Sequence, residues 1–278
     1  MDPLPPAEVT RAEGDVGSVA APLVRARGAT TEPASAQVAA EVPIALQYNG
    51  VSHAVMLATP CDLEDFALGF SLSEGLIDSV SEFYGVEIEP ARGGVTLAID
   101  VASAPFVRLK ERRRTLVGRT GCGICGTESL DQVLRPLPAL EARGPQVARA
   151  ALARAGSELP QLQPLQQQTG ATHAAAWCSV AGDVLCVRED VGRHNALDKL
   201  IGALARTGFD ADSGFALITS RASVEMVQKS ATVGISVLAA VSAPTSLAIR
   251  VAEDCGQTLL GFARGDSFSI YTHGRRII

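Results

Sequence analysis

Apolar positions are scattered through residues 1–40, where Ala, Pro, Gly and charged residues follow one another without a sustained period. Such a stretch buries too little surface to offset ordering and is expected to be a flexible tail. The pattern sharpens at "VPIALQYNG" and "SHAVMLATP", two apolar runs separated by Asn49-Gly50, which predicts a hairpin. Leu63, Phe66, Ala67 and Phe70 then share one face of a helix that Asp62 caps and that ends near Gly75. Strand-like segments follow at 83–89 and 94–101. Ser129 and Gln132 make a capping-box pattern for a short helix ending before Pro136. Residues 136–170 hold five prolines and a Gln run around a short Ala-rich helix near 146–156, and read as a connector.

Beyond residue 170 strands alternate with helices. The strands are expected at 174–180, 183–188, 215–219, 235–241, 258–262 and 267–272, and the helices at 195–207, 223–233 and 245–254. Leu197, Leu200, Ile201 and Leu204 give the first of these helices its apolar stripe, with Asn195 as cap and Gly208 beyond its end. This order predicts an α/β layer structure.

The chain has 278 residues, 47% of them hydrophobic, enough for one large domain or two modest ones. A net charge of −6 argues against wrapping nucleic acid. The start, "MDPLPPAEVT", lacks the basic and apolar regions of a secretory signal, and the most apolar stretch, "GISVLAAVSAP", is too short to span a bilayer. The expectation is a cytoplasmic protein with no membrane and no nucleic-acid partner.

In an open α/β sheet, ligands bind beyond the carboxyl ends of parallel strands, where helix N-termini favour anions. Three strand-to-helix junctions qualify: "REDVGRHN" (188–195), "TSRAS" (219–223) and "VSAPTS" (241–246). Arg193, His194, Ser220 and Arg221 can line one anion pocket, with Glu189 and Asp190 orienting the cations. Simple capping and ion pairing is the competing account.

Of six cysteines, Cys178 and Cys186 lie in apolar strand-like runs and Cys61 and Cys255 at helix boundaries. Only Cys122 and Cys125, in "GRTGCGICGTESL", look arranged. A structural zinc site needs a second ligand pair, and no second Cys-x-x-Cys exists. A nucleobase deaminase would need Pro-Cys-x-x-Cys with His-x-Glu, and neither is present. Gly121, Gly123 and Gly126 around the thiols fit a thioredoxin-like pair poorly. The remaining reading is a nucleophilic or sulfur-carrying thiol on a mobile loop at 118–126. Lys110, Arg112, Arg113, Arg114 and Arg119, just upstream, together with a following helix N-terminus, favour the thiolate.

"RTGCGICG", "REDVGRHNALDKLIG", "SRASVEMVQK" and "GFARG…YTH", in this order, resemble the formate dehydrogenase accessory sulfurtransferases, the FdhD/NarQ family of sulfur carrier proteins, over most of residues 41–278. The resemblance implies a cytidine deaminase-like α/β/α layered sheet in 171–278, which holds the cofactor, and a smaller α+β subdomain in 41–135. It implies a homodimer that takes persulfide sulfur from a cysteine desulfurase. The sulfur then goes to the molybdenum of bis-molybdopterin guanine dinucleotide, cargo destined for formate dehydrogenase, and no metal is permanently bound. Cys122 is implied as the sulfur carrier and Cys125 as an assisting thiol, with Phe262, Ala263, Arg264, Gly265, Asp266 and Ser267 binding the cargo. The alternative is a non-catalytic assembly chaperone with structural or zinc-bound thiols. Gly274 stands after "YTH" where the family leads one to expect proline.

Overall fold

The computed structural model describes residues 17–114, 136–140, 142 and 144–278, and of residues 110–114 it describes the backbone. Two ten-residue strands open it, β1 (Ser18–Arg27) and β2 (Thr30–Ala39), paired antiparallel through a two-residue turn in which Gly28 takes φ 58°. Residues 18–39 therefore form a ribbon and not the flexible tail expected from composition. A lone hairpin is marginal in water, and this one is fastened at its root. Ala40 N–H donates to Gly17 O at 3.0 Å, Ser18 Oγ lies 3.3 Å from Gln168 Oε1, and Gly17 rests on the Leu165 side chain.

Next come β3 (Val42–Tyr48), β4 (Val51–Ala58), α1 (Leu63–Ser73), β5 (Phe83–Ala91), β6 (Gly94–Val101) and α2 (Ser103–Arg114). The four strands form a sheet in the order β4-β3-β6-β5. Asn49 and Gly50, at φ 45° and 78°, make the tight turn between β3 and β4 that their sequence predicts. Ile44, Leu46, Tyr48, Leu97 and Ile99 form one core with Phe66, Ala67 and Phe70 of α1. Asp62 stands at the start of α1 in the left-handed region and makes no capping hydrogen bond with its side chain.

Helix α3 (Arg149–Glu158) and the short α4 (Pro164–Thr169) lie within the stretch expected to be a connector. They are structural. Ala151, Leu152 and Ala155 of α3 close one face of a six-stranded sheet against Ala176, Phe215, Leu217, Val237 and Leu260. That sheet comprises β7 (His173–Ser179), β8 (Val184–Asp190), β9 (Gly214–Ile218), β10 (Val237–Ala240), β11 (Thr258–Arg264) and β12 (Ser267–Thr272), in the order β12-β11-β10-β9-β7-β8. Its other face is covered by α5 (Arg193–Thr207), α6 (Val224–Thr232) and α7 (Ser246–Cys255), through Leu197, Leu200, Ile201, Val227, Val251 and Ala252.

The two sheet systems meet where α1 crosses α5 at Gly69 and Gly202. A methyl group at Gly69 would overlap the Asp198 carbonyl oxygen, and one at Gly202 the Asp65 carbonyl oxygen. The backbones touch because neither residue has a side chain. Among the described residues, no helix is long and apolar enough to cross a membrane.

Candidate functional site

Strands β9, β10 and β11 are parallel neighbours, and β8 points the same way because β7 runs antiparallel to both β8 and β9. All four therefore end at one sheet edge. Backbone hydrogen bonds zip the emerging loops together: Val241 N–H to Ile218 O at 2.8 Å, Thr245 N–H to Ala222 O at 3.0 Å and Phe262 N–H to Ser242 O at 3.2 Å. The junctions after β9 and β10 are thus brought together with the start of Phe262–Ser267, and the third junction reaches them through His194, 4.0 Å from Glu225 in the first turn of α6.

In this last segment the β11–β12 register shifts between Gly261 and Arg264. Phe262 adopts φ 55° and is 47% exposed, whereas Ala263 turns into the core beneath the sheet. Arg264, also exposed, donates from Nε to Val241 O at 3.1 Å. Gly265 (φ 56°) and Asp266 then form the turn that returns the chain to Ser267, paired with Arg264. The segment offers an aromatic face, a guanidinium and a glycine turn to solvent.

Two of the acidic residues at this edge are structural. Glu189 accepts from the backbone N–H groups of Leu165 (2.9 Å) and Gln166 (2.8 Å), anchoring the start of α4, and from Thr172 Oγ1. Asp190 is fully buried and accepts from Lys199 Nζ at 2.6 Å, Gly192 N at 2.7 Å, Asn195 Nδ2 at 2.9 Å and Thr59 N at 3.0 Å. Lys199, equally buried, also donates to Thr59 O at 2.9 Å. Helix α5 starts at Gly192 rather than at Asn195, whose side-chain amide reaches back to Leu57 O at 2.8 Å. A side chain read as a helix cap is part of a joint between the two sheets.

A second buried cluster was not visible in the sequence. Lys229 of α6 donates to Glu74 Oε1 (2.6 Å), Asp198 Oδ1 (2.9 Å) and Ser73 Oγ (3.1 Å), and its Nζ sits 5.1 Å from the centre of the Phe70 ring. Burial pushes the Asp198 carboxyl up to about 6 against the pull of Lys229. Burial opposes the Lys229 charge, but Asp198 and Glu74 outweigh it and hold its pKa above the ordinary lysine value. His194, 4.0 Å from Glu225, is driven down to about 4 by burial and then by the Arg193 and Lys229 charges, and is neutral at pH 7. His173, which opens β7, is lowered by burial and by the same Arg193.

Burial raises the thiol pKa of Cys178 far out of the reactive range, and also that of Cys186 and Cys255. These three are inert packing residues. Cys61 is buried beside Lys199, 3.9 Å from its Nζ. His273 contacts the Glu253 carbonyl at 2.9 Å in a left-handed conformation, just before the Gly274 turn. Cys122, Cys125, the 118–126 loop, Arg119 and the 129–135 helix lie outside the described residues, as do the side chains of Lys110, Arg112, Arg113 and Arg114. No cluster of three or more His, Cys, Asp or Glu side chains able to hold a metal occurs among the described residues.

A family model described as the FdhD/NarQ family matches residues 39–278. The chain belongs to that family. It is similar to the sulfur carrier protein FdhD of Variovorax paradoxus, with 61% identity over 240 residues covering 86% of each chain. It is also similar to the protein of the same name from Cupriavidus necator, with 58% identity over 241 residues, 87% of this chain and 83% of that one. The crystal structure of a formate dehydrogenase accessory protein from Desulfotalea psychrophila has the same fold, at a TM-score of 0.72 and 23% identity, covering 94% of this chain and 99% of that one. The FdhD/NarQ match begins at the end of β2, so the ribbon precedes the family core and the sheet edge lies wholly within it.

Proposed function

We propose that this FdhD/NarQ protein is a sulfur carrier that takes persulfide sulfur from a cysteine desulfurase and delivers it to the molybdenum of bis-molybdopterin guanine dinucleotide, required by formate dehydrogenase. The observation that carries this reading is the 61% identity, over most of both chains, to a protein named as a sulfur carrier. Cys122 is the carrier: its thiolate attacks the outer sulfur of the desulfurase persulfide, the desulfurase thiolate leaves, and Cys122 becomes the persulfide. Sulfide release needs two electrons. The Cys125 thiolate supplies them by attacking Cys122 Sγ, so that sulfide leaves toward the metal and a Cys122–Cys125 disulfide remains for a cellular thiol to reduce.

The cargo binds at Phe262, Ala263, Arg264, Gly265, Asp266 and Ser267, where the exposed guanidinium and the glycine turn suit a phosphate and a base edge. The metal is cargo and not a resident cofactor. The reading includes a cytidine deaminase-like arrangement of the layers, a homodimer and a cytoplasmic location.

The test is mass spectrometry of the protein after incubation with a desulfurase and cysteine. A gain of one sulfur atom on Cys122 is expected, together with loss of formate dehydrogenase activity in cells carrying Cys122→Ala. Full dehydrogenase activity beside that variant, or stoichiometric zinc lost with either cysteine, would overturn the reading.

A further inference from the structure

The ribbon of β1 and β2 has two unlike faces. Its register puts Val19 opposite Val38, Ala21 opposite Ala36 and Leu23 opposite Ala34 on one of them, and this face continues to Arg25 and Arg27 at the tip, opposite Glu32 and Thr30. The other face mixes Gln37, Ser35 and Thr31 with alanine and proline. Among the described residues, those of the ribbon join none of the core clusters, and Val19 and Val38 stay 45% and 40% exposed. An apolar strip is left to water. Strand addition at the edges does not answer it: the two-residue turn makes Arg27 and Thr30 a hydrogen-bonded pair, so by alternation Pro22 and Pro33 fall where N–H groups point outward, and proline has none. Each edge is interrupted in its middle. The face remains as the surface to cover.

The same chain carries a surface that suits it. The four-stranded sheet packs one side on α1 through Ile44, Leu46 and Leu97. On the other side Val55 and Leu57 of β4 are 56% and 57% exposed, beside Ala45 and Pro43 of β3. One row there crosses all four strands as Val55, Ala45, Thr96 and Glu89, and the next holds Gln47, Ala98 and Glu87. This side grades from apolar to acidic over three strand spacings, about 14 Å. The ribbon grades from apolar to basic between Leu23 and Arg27, about 13 Å at the ordinary rise of a strand. The two gradients match in length and oppose in charge. The chain's own ribbon is fastened instead to α4, which Glu189 ties to β8.

We propose that the ribbon is an exchanged arm: in a pair of chains, each lays its apolar ribbon face on the open side of the other's four-stranded sheet, with Arg25 and Arg27 over Glu87 and Glu89. This rests on the homodimer reading and names its interface. Area supports reciprocal exchange over ribbon against ribbon. One ribbon face measures about 33 by 10 Å, so two ribbon-on-sheet contacts bury roughly 1,300 Å² in all, the size of a stable interface, whereas two ribbons face to face bury about half of that, which is too little. The ribbon lies before the family match and the receiving sheet within it, so the arm is an addition to the family core.

Sedimentation velocity of the full chain over a concentration series tests the proposal. The parent chain is expected to sediment as a dimer. Leu23→Glu on the ribbon and Leu57→Glu on the sheet are each expected to raise the dimer dissociation constant by about 10-fold or more, since each strikes both reciprocal contacts. Neither side chain belongs to a core cluster, so circular dichroism should show an unchanged fold. Arg25→Glu with Arg27→Glu should also weaken the dimer, and adding Glu87→Arg with Glu89→Arg to the same chain should restore it. A dimer that Leu23→Glu and Leu57→Glu leave untouched overturns the exchanged arm while the homodimer reading stands. Loss in only one of the two overturns the pairing of these faces, and failure of the charge exchange to restore the dimer overturns the orientation. A monomeric parent chain sinks both this proposal and the homodimer reading, and sulfur loading of Cys122 then judges the carrier reading separately.

Discussion

Replacing Lys199 by Met removes the cation from a carboxylate that has no route to water. Asp190 and Lys199 are both fully buried, 2.6 Å apart, and the lysine is also fastened to Thr59 O. In the variant Asp190 keeps Thr59 N, Gly192 N and Asn195 Nδ2 as donors but loses its counter-charge. Breaking one side of a buried pair costs about 3–5 kcal/mol, most of it the stranded charge. For a chain of this size that corresponds to a fall of about 10 °C in melting temperature. Urea and thermal unfolding followed by circular dichroism measure it. The reasoning also requires that Asp190→Asn, added to Lys199→Met, restores more than about 1 kcal/mol, because the amide removes the stranded charge and its oxygen still accepts from Gly192 N and Asn195 Nδ2, at the loss of the Thr59 N bond. A Lys199→Met cost below about 1 kcal/mol, or a double variant no more stable than the single one, would refute it.

Gly202→Ala should cost about 1–3 kcal/mol by forcing α1 away from α5 at their backbone contact, measured by urea denaturation, whereas Gly208→Ala beyond the end of α5 perturbs no such crossing. Asp198 and His194 should leave opposite marks on stability below neutral pH. The raised Asp198 pKa, about 6 against 3.8, gives stability that is complete below pH 4 and lost as pH rises through 6; the lowered His194 pKa, about 4 against 6.5, gives stability present above 6.5 and lost as pH falls through 4. Acidifying from pH 6.5 to 4 should therefore stabilise His194→Gln and destabilise Asp198→Asn, each relative to the parent chain's own pH profile in urea denaturation. Cys125→Ser should still acquire one sulfur on Cys122 but retain it when the cargo is offered, as read by mass spectrometry. Deleting residues 1–39, whose described ribbon is fastened to α4 through Gly17 and Ser18, should lower the melting temperature by only a few degrees and leave sulfur loading intact.

The six-stranded sheet was legible because its strands are short apolar runs between turn signals, and observed boundaries fall within two residues of those expected. The ribbon at 18–39 was not, because Ala, Pro, Ser and Thr fill both faces and the pairing depends on a distant anchor at Leu165. Asn195 is a similar case: a local rule makes it a cap, and only Leu57, 138 positions earlier, reveals its use. Lys199 and Asp198 sit beside an apolar stripe and read locally as solvated charges. A lysine flanked by Ala196 and Ala203 at helical spacing, with Gly202 in the helix interior, was the available signal for a second packed surface. No sequence rule places Phe262 in the left-handed region, since the strain comes from the contacts of Gly261 and Ser242.

The buried joint has a consequence for the edge it adjoins. One Asp190 oxygen holds Gly192 N and Asn195 Nδ2, which fix where α5 begins, and the other holds Lys199 of α5 and Thr59 N of the link between β4 and α1. The start of α5, with Arg193 and His194, is therefore set by the position of the four-stranded sheet as much as by its own strand. That sheet also packs against α2 through Leu109, and α2 is the last described element before Cys122 in the sequence. A displacement of the four-stranded sheet relative to the six-stranded one would move α2 and the start of α5 together. Loss of the Asp190–Lys199 pair should therefore loosen the start of α5 at the sheet edge, and Lys199→Met chains that remain folded at low temperature should load sulfur normally yet bind the proposed cargo more weakly.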